Sequence, residues 1–306
     1  MKSGSNLEKI LTKGLFAVTG ELGPPEGNDV SVVKRKADLL RGYVDAVNVT
    51  DNQTAIVRMS SLAASALVVQ MGLEPIMHMV TRDRNRIAIQ SDIFGATALG
   101  IKNMLCMSGV HHTFGNQVDA KNVHDLDSIQ LIDCVRTLRD QGTLLGGDEK
   151  IEGKVDLLIG AVMNPFADPF EFQAVRLAKK IRAGADFIQT YPIYDMERFK
   201  EWMKMVRDRG LDKKVYILVT LCPLGSEEMI HYMEKDFPRT AVPDEIVNRI
   251  VKSENSAIEG VKLCVDQIRE IREIEGIHGI HLINMGWTEI TRQIIEMGGL
   301  FPRPKI

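Results

Sequence analysis

Cysteine is scarce in this chain. Four residues in 306, Cys106, Cys134, Cys222 and Cys264, lie far apart, with no Cys-x-x-Cys pair and no Cys/His spacing suited to zinc or an iron-sulfur cluster. Any metal the chemistry needs is therefore expected on another chain, and Cys106 and Cys222, in apolar segments, read as small buried hydrophobes. An excess of one charge is also lacking: 38 basic against 41 acidic side chains leave a formal charge of -3, which gives no electrostatic case for nucleic acid or an anionic membrane as partner. No apolar run approaches the ~20 residues that cross a bilayer, and the opening six residues lack the apolar core of a signal peptide, so a cytoplasmic location is expected. The glycine signatures of nucleotide folds are missing too: Gly20-Glu21-Leu22-Gly23-Pro24-Pro25 is not a Gly-x-Gly-x-x-Gly turn, and no Walker loop occurs.

What is present is alternation. Eight β-rich runs, Leu15-Glu21, Val44-Thr50, Pro75-Val80, Asn103-Ser108, Asp156-Asn164, Phe187-Tyr191, Val215-Leu221 and Gly279-Asn284, are separated by stretches of helical period. The helices are expected near Val30-Arg41, Met59-Met71, Ile87-Leu99, Leu126-Gln141, Pro169-Arg182, Met196-Arg209, Ser226-Asp236, Glu254-Glu275 and Trp287-Met297. Eight strand-helix units without a composition break predict a closed (β/α)8 TIM barrel forming a single domain over residues 1–306; an open doubly wound sheet is the alternative. Of two long connections, Gly109-Asp125 follows a strand and so lies on the functional face as a candidate lid, whereas Gly142-Lys154 precedes one and lies opposite.

Strand C-terminal ends converge on one pocket in such a barrel, and here they are polar. Alternation puts Asn48 and Thr50 on one face of the second strand and His78 on the inner face of the third with Ile76. Glu21, Asn164, Gln189, Tyr191, His281 and Asn284 end other strands. No lysine ends a strand, which disfavours a Schiff-base aldolase. No carboxylate cluster with a histidine marks a divalent-metal site, and His111, His112 and His124 in the long loop lack partners at metal-binding spacing. A polar, metal-poor mouth suits an organic cofactor.

Several segments, in order along nearly the whole chain, resemble those of methylenetetrahydrofolate reductases. Glu21-Leu22-Gly23-Pro24-Pro25 is similar to the Glu-x-x-Pro-Pro closing that family's first strand, Val49-Thr50 to the end of its second, and Glu74-Pro75-Ile76-Met77-His78 to the segment with its flavin-site histidine. Ser108-Gly109 falls on its Arg-Gly after strand four, Lys180 through Ala185 on its Lys-x-x-Ala-Gly-Ala, and Thr190 through Asp195 on its Thr-Gln-x-x-x-Asp. The resemblance is to the catalytic barrel without the regulatory extension of eukaryotic enzymes. Residues Val47 through Thr54 and Asn164 through Pro169 most resemble the form in acetogenic bacteria, which works with a small metal- or Fe-S-containing partner subunit.

The resemblance implies flavin-dependent reduction of 5,10-methylenetetrahydrofolate to 5-methyltetrahydrofolate by an oligomeric enzyme, with Glu21 as general acid. It implies Thr50, His78, Ser108, Gly109, Gln173 and Lys180 as flavin contacts and Tyr191 at the substrate position, with Gln189, on the same strand face, expected to take over pterin recognition and Asn48, by its strand-end parity, expected as a further substrate contact. Where the family carries arginine, aspartate, aspartate and glutamine, this chain has Ser108, Val110, Gln173 and Tyr191. The first and third changes weaken the adenylate half of FAD, so FMN stands beside it; loss of the aspartate removes a charge that opposes reduced anionic flavin. A flavin-free, methyl-transferring pterin barrel and a scaffold subunit of an electron-transfer complex remain alternatives, as do several electron donors.

Overall fold

Parallel strands sandwiched between a barrel interior and a ring of helices must be apolar on both faces, and that is the form these runs take. In a computed structural model describing residues 1–236 and 242–306, β1 (Ala17–Leu22), β2 (Ala46–Val49), β3 (Pro75–Val80), β4 (Asn103–Met107), β5 (Leu158–Met163), β6 (Phe187–Pro192), β7 (Tyr216–Leu221) and β8 (Gly279–Leu282) pair in chain order. β8 returns to β1 and closes the barrel, as the alternation predicts. Thr50, Ser108, Asn164 and Asn284, read as strand ends, lie one or two residues past the ladders, where side chains are free to face the mouth.

The helices are α1 (Asn6–Thr12), α2 (Val30–Leu40), α3 (Ser61–Gln70), α4 (Arg86–Ala98), α5 (Ser128–Arg136), α6 (Phe172–Ala183), α7 (Met196–Asp208), α8 (Glu227–Asp236), α9 (Asp244–Val251), α10 (Ser256–Arg272) and α11 (Ile290–Met297). Asp29, Ser60, Asn85, Asp127, Asp195 and Asn255 cap α2, α3, α4, α5, α7 and α10 through side-chain oxygens that accept first-turn N–H groups. The apolar stripe of α7, Phe199, Trp202, Met203 and Val206, repeats at three and four residues and is fully buried against the barrel wall. α1 and α9 have no counterpart in the sequence reading.

α1 closes the barrel floor. Its Leu7, Ile10 and Leu11 pack with Ala17, Ala46, Ile76, Leu105, Leu158, Phe187 and Leu218, inward residues of β1 to β7, in one buried apolar cluster. Ser5 caps it, and Glu74, just before β3, accepts the N–H groups of Asn6 and Leu7 at 2.5 and 2.9 Å. Glu74 is therefore a floor residue, remote in role from the mouth. Gly160 on β5 makes room for the floor's largest ring: a Cβ there would stand 2.2 Å from Phe187 Cζ. All four cysteines are buried, and burial raises their thiols, to about 12 for Cys134 and Cys222. No helix among the described residues is long and apolar enough to cross a membrane.

Candidate active site

Above the floor, the barrel opens into a cavity of about 550 Å³ at the strand C-terminal ends. Of the ten candidate site residues, nine line it: Glu21, Thr50, His78, Ser108, Gly109, Gln173, Lys180, Gln189 and Tyr191. The tenth, Asn48, does not. It lies one layer deeper, fully buried, and is hydrogen-bonded to His78 and Gln189 behind the wall, because β2 places it in register with Ile76 of β3, below the rim. Expected as a substrate contact, Asn48 is instead a second layer under the wall.

Strict alternation fails on β6. The register of β6 against β7 slips between Gln189 and Pro192, so that Gln189, Thr190, Tyr191 and Pro192 all border the cavity in succession. Thr190 accepts the Thr220 backbone N–H at 2.9 Å through its hydroxyl, which bridges the slipped stretch. Gly109 has φ +83°, and a Cβ on it would lie 3.2 Å from Val80 Cβ. Backbone geometry alone thus calls for glycine there.

The Gly109-Asp125 loop is not a free flap. Val123 and His124 donate backbone hydrogen bonds to Arg82 and Thr81 at 2.7 and 3.2 Å, and the buried Arg82 guanidinium donates to the Val110 and Asn52 carbonyls. Gly115, in its middle, presses on Ala55 so closely that a Cβ would fall 1.9 Å from the Ala55 carbonyl oxygen. Loops after β2 and β4 are therefore docked on each other. Asn52, Thr54 and Ala55, all at positive φ without being glycine, hold the strained bend that receives Gly115.

Burial dominates the electrostatics. The Glu21 carboxyl, 5% exposed, is raised by desolvation from 4.5 to about 7, against the pull of Lys36 and Arg58. Those two cations come from elements whose sequence gives no hint of the mouth. Lys36 reaches over the rim from α2 to donate to the Gly23 carbonyl at 2.8 Å, and Arg58 donates to the Pro24 carbonyl at 3.1 Å while pairing with Glu26 at 2.9 Å. Together they brace the turn that follows Glu21, and Asn284 fixes the Glu21 carbonyl itself at 2.8 Å. His78 and His281 are both pushed down to about 3 by burial and so are neutral.

A second group of charges faces the opposite wall. Lys180, 6% exposed, is lowered by burial and then by Arg176, one helical turn before it on α6, and no described carboxylate lies within ion-pair distance of either. Ser128, at the start of α5, borders the same corner. Sequence reasoning found Lys180 but missed Arg176, although an i,i+4 pair of cations on one helix face was visible. The hydroxyl oxygens of Thr50 and Thr220 are buried in the wall without a partner. A buried lysine without an anion, an exposed arginine one turn before it and two unpaired hydroxyls are groups that a phosphorylated, polar ligand would satisfy. Among the described residues no three His, Cys, Asp or Glu side chains are grouped to hold a metal ion.

Residues 6–299 match the sequence profile of methylenetetrahydrofolate reductase. The chain is similar to a probable methylenetetrahydrofolate reductase (NADPH) of Caenorhabditis elegans, 22% identical over 254 residues, 82% of this chain and 36% of that protein. It is also similar to methylenetetrahydrofolate reductase 2 of Schizosaccharomyces pombe, 24% identical over 202 residues, 63% of this chain and 30% of that one. It thus spans about a third of the length of these curated relatives. Among solved structures, a Clostridium thermocellum protein that binds two copies of 5-methyl-5,6,7,8-tetrahydrofolic acid superimposes with a TM-score of 0.67 at 14% identity, covering 95% of this chain and 99% of that one. Tryptophan synthase from M. tuberculosis superimposes at 0.53 and 12% identity over 97% of each chain, a likeness of fold alone.

Proposed function

Because the chain belongs to the methylenetetrahydrofolate reductase family, we propose that the barrel, acting as one catalytic domain, reduces 5,10-methylenetetrahydrofolate to 5-methyltetrahydrofolate with a bound flavin. The observation that carries the reading is one cavity bordered on one side by a protonatable buried carboxyl, Glu21, and on another by a buried lysine without an ion-pair partner, Lys180, beside the exposed Arg176. The Clostridium thermocellum barrel, which binds a methylated tetrahydrofolate, supports the substrate class.

The residues present fit a flavin. Lys180 and Arg176, with Ser128, would hold its phosphate, and Thr50, His78, Ser108, Gly109 and Gln173 would border the rest. When bound and reduced, the flavin supplies the hydride that converts the methylene carbon to methyl. Glu21 supplies the proton: the five-membered ring opens to an iminium only as its departing nitrogen is protonated, and a carboxyl raised to about 7 still holds a transferable proton at neutral pH. Lys36 and Arg58 stop the carboxyl from rising further, which would leave it a poorer acid. Gln189 and Tyr191 border the substrate side. Electrons reach the site from a metal- or Fe-S-containing partner subunit, which predicts limited activity of the isolated chain with NADH.

Absorbance of the purified chain tests the reading. A yellow protein is expected, whose flavin, once reduced, is reoxidised by methylenetetrahydrofolate; mass spectrometry of the extract decides FMN against FAD. Colourless protein that neither flavin reconstitutes overturns it. That result would favour a flavin-free folate-binding barrel, the reading to which the Clostridium thermocellum neighbour lends weight.

A further inference from the structure

In and just behind the cavity wall a chain of buried polar side chains crosses the barrel from β3 to β8, and its hydrogens can be counted. Asn48 Nδ2 lies 2.9 Å from His78 Nε2 and 2.6 Å from Gln189 Oε1. Gln189 Nε2 donates in return to Asn48 Oδ1 and to Thr19 Oγ1, each at 3.2 Å. Thr19 Oγ1 then meets His281 Nδ1 at 3.0 Å. All four amide hydrogens of the Asn48-Gln189 pair have an acceptor in this arrangement.

Turning both amides over would preserve the paired bonds between them but put oxygen on His78. Asn48 Oδ1 and Gln189 Oε1 each touch a single described partner, each other's nitrogen. The reversed arrangement would therefore place one hydrogen of each amide where no described acceptor stands, on side chains at most 2% exposed. An unmet lone pair is tolerated there far better than an unmet N–H. The orientation with nitrogen toward His78 wins.

We propose that Asn48, locked by Gln189 and Thr19, is a positioning residue that fixes His78 as the neutral tautomer with its proton on Nδ1. Nε2 must accept from Asn48 and so carries no hydrogen. His78 borders the cavity, and Nδ1–H is then the one hydrogen bond it has to offer. It selects for an acceptor, a ring nitrogen or carbonyl oxygen of a planar heterocycle, and against a donor edge. Burial keeps the ring uncharged, and His281, across the same polar chain, is kept neutral by burial too. That the acceptor belongs to a bound flavin or folate rests on the function proposed above; the tautomer does not.

The test is a two-bond ¹H–¹⁵N correlation spectrum of the ligand-free full chain with ¹⁵N-labelled histidine rings, His78 being assigned by the signal lost in H78Q. His78 is expected neutral, with the proton on Nδ1, from pH 6 to 8. Asn48→Asp, which offers only acceptors to Nε2, should move that proton to Nε2. A wild-type His78 protonated on Nε2, or exchanging between tautomers, overturns the proposal, and this result does not depend on the variant folding. An N48D protein that folds with His78 unchanged overturns it as well. No flavin or folate enters the measurement, so its failure and that of the proposed function are distinguishable.

Discussion

Replacing Glu21 by Gln removes a proton donor and a burial penalty in one step, and the two effects have opposite signs. With the carboxyl at about 7, about half of the sites hold a proton at pH 7; at its ordinary 4.5 about one in 300 would. A folded-state pKa raised above the unfolded value means that stability is complete below 4.5 and is lost as pH rises through about 7, because the native state must then ionise a buried group. The loss amounts to about 3 kcal/mol at pH 8 and about 1 kcal/mol at pH 5, at 1.36 kcal/mol per pH unit. E21Q, which cannot ionise, should therefore be more stable than wild type by those amounts, with the difference vanishing near pH 4. Folate turnover should meanwhile fall about 10²–10⁴-fold, the usual worth of general acid catalysis, and lose its alkaline limb near pH 7. Paired denaturation curves from pH 4 to 8.5 and pH-rate profiles of both proteins provide the assay. A stability difference that ignores pH would refute the raised carboxyl; turnover within a few-fold of wild type would refute its role as acid.

Three other outcomes follow from the geometry. Lys36→Met takes away a charge that favours ionised Glu21, so the alkaline limb should move to higher pH by about 0.5–1 unit, with K36R restoring it; an unmoved limb would show that Lys36 only braces the turn. Lys180→Met should weaken flavin binding about 10–100-fold, as befits a lost charge-assisted hydrogen bond, yet leave the ligand-free chain as stable or more so, since the cation is buried unpaired; titration calorimetry and thermal melts read the two separately. Gly160→Ala should destabilise by about 1–3 kcal/mol or more through collision with Phe187, and F187L should recover much of that loss in the double variant, whereas additive effects would mean the ring is not the obstacle.

The barrel was legible because its strands are apolar on both faces and its helices on one, a pattern that neighbours in sequence suffice to show. Glu21, His78 and Lys180 were legible through their segments. Lys36 was not: within Lys34-Arg35-Lys36 it looks like any solvated helix face, and its reach to the Gly23 carbonyl depends on how α2 packs beside the turn after β1. The parity of Asn48 was readable, its depth was not, since depth depends on register with β3. α1 was invisible because seven residues make too short a helix to stand alone. It exists where the floor gives its three apolar side chains a seat and Glu74 receives its leading N–H groups.

That seat imposes a timetable on the growing chain. α1 leaves the ribosome before any of the strands, but the surface it covers is assembled from seven of them, the last contributing Leu218, and the ring is sealed only by β8 at Gly279–Leu282. Until β7 is made Leu7, Ile10 and Leu11 have no stable place to go, so nascent or truncated chains ending before β7 carry an exposed greasy segment and should be clients of holding chaperones. Joining residue 306 to residue 1 and cutting the barrel elsewhere would change that timetable without changing the floor. A permutant in which α1 emerges after β7 should refold to the same barrel while aggregating less as it is made.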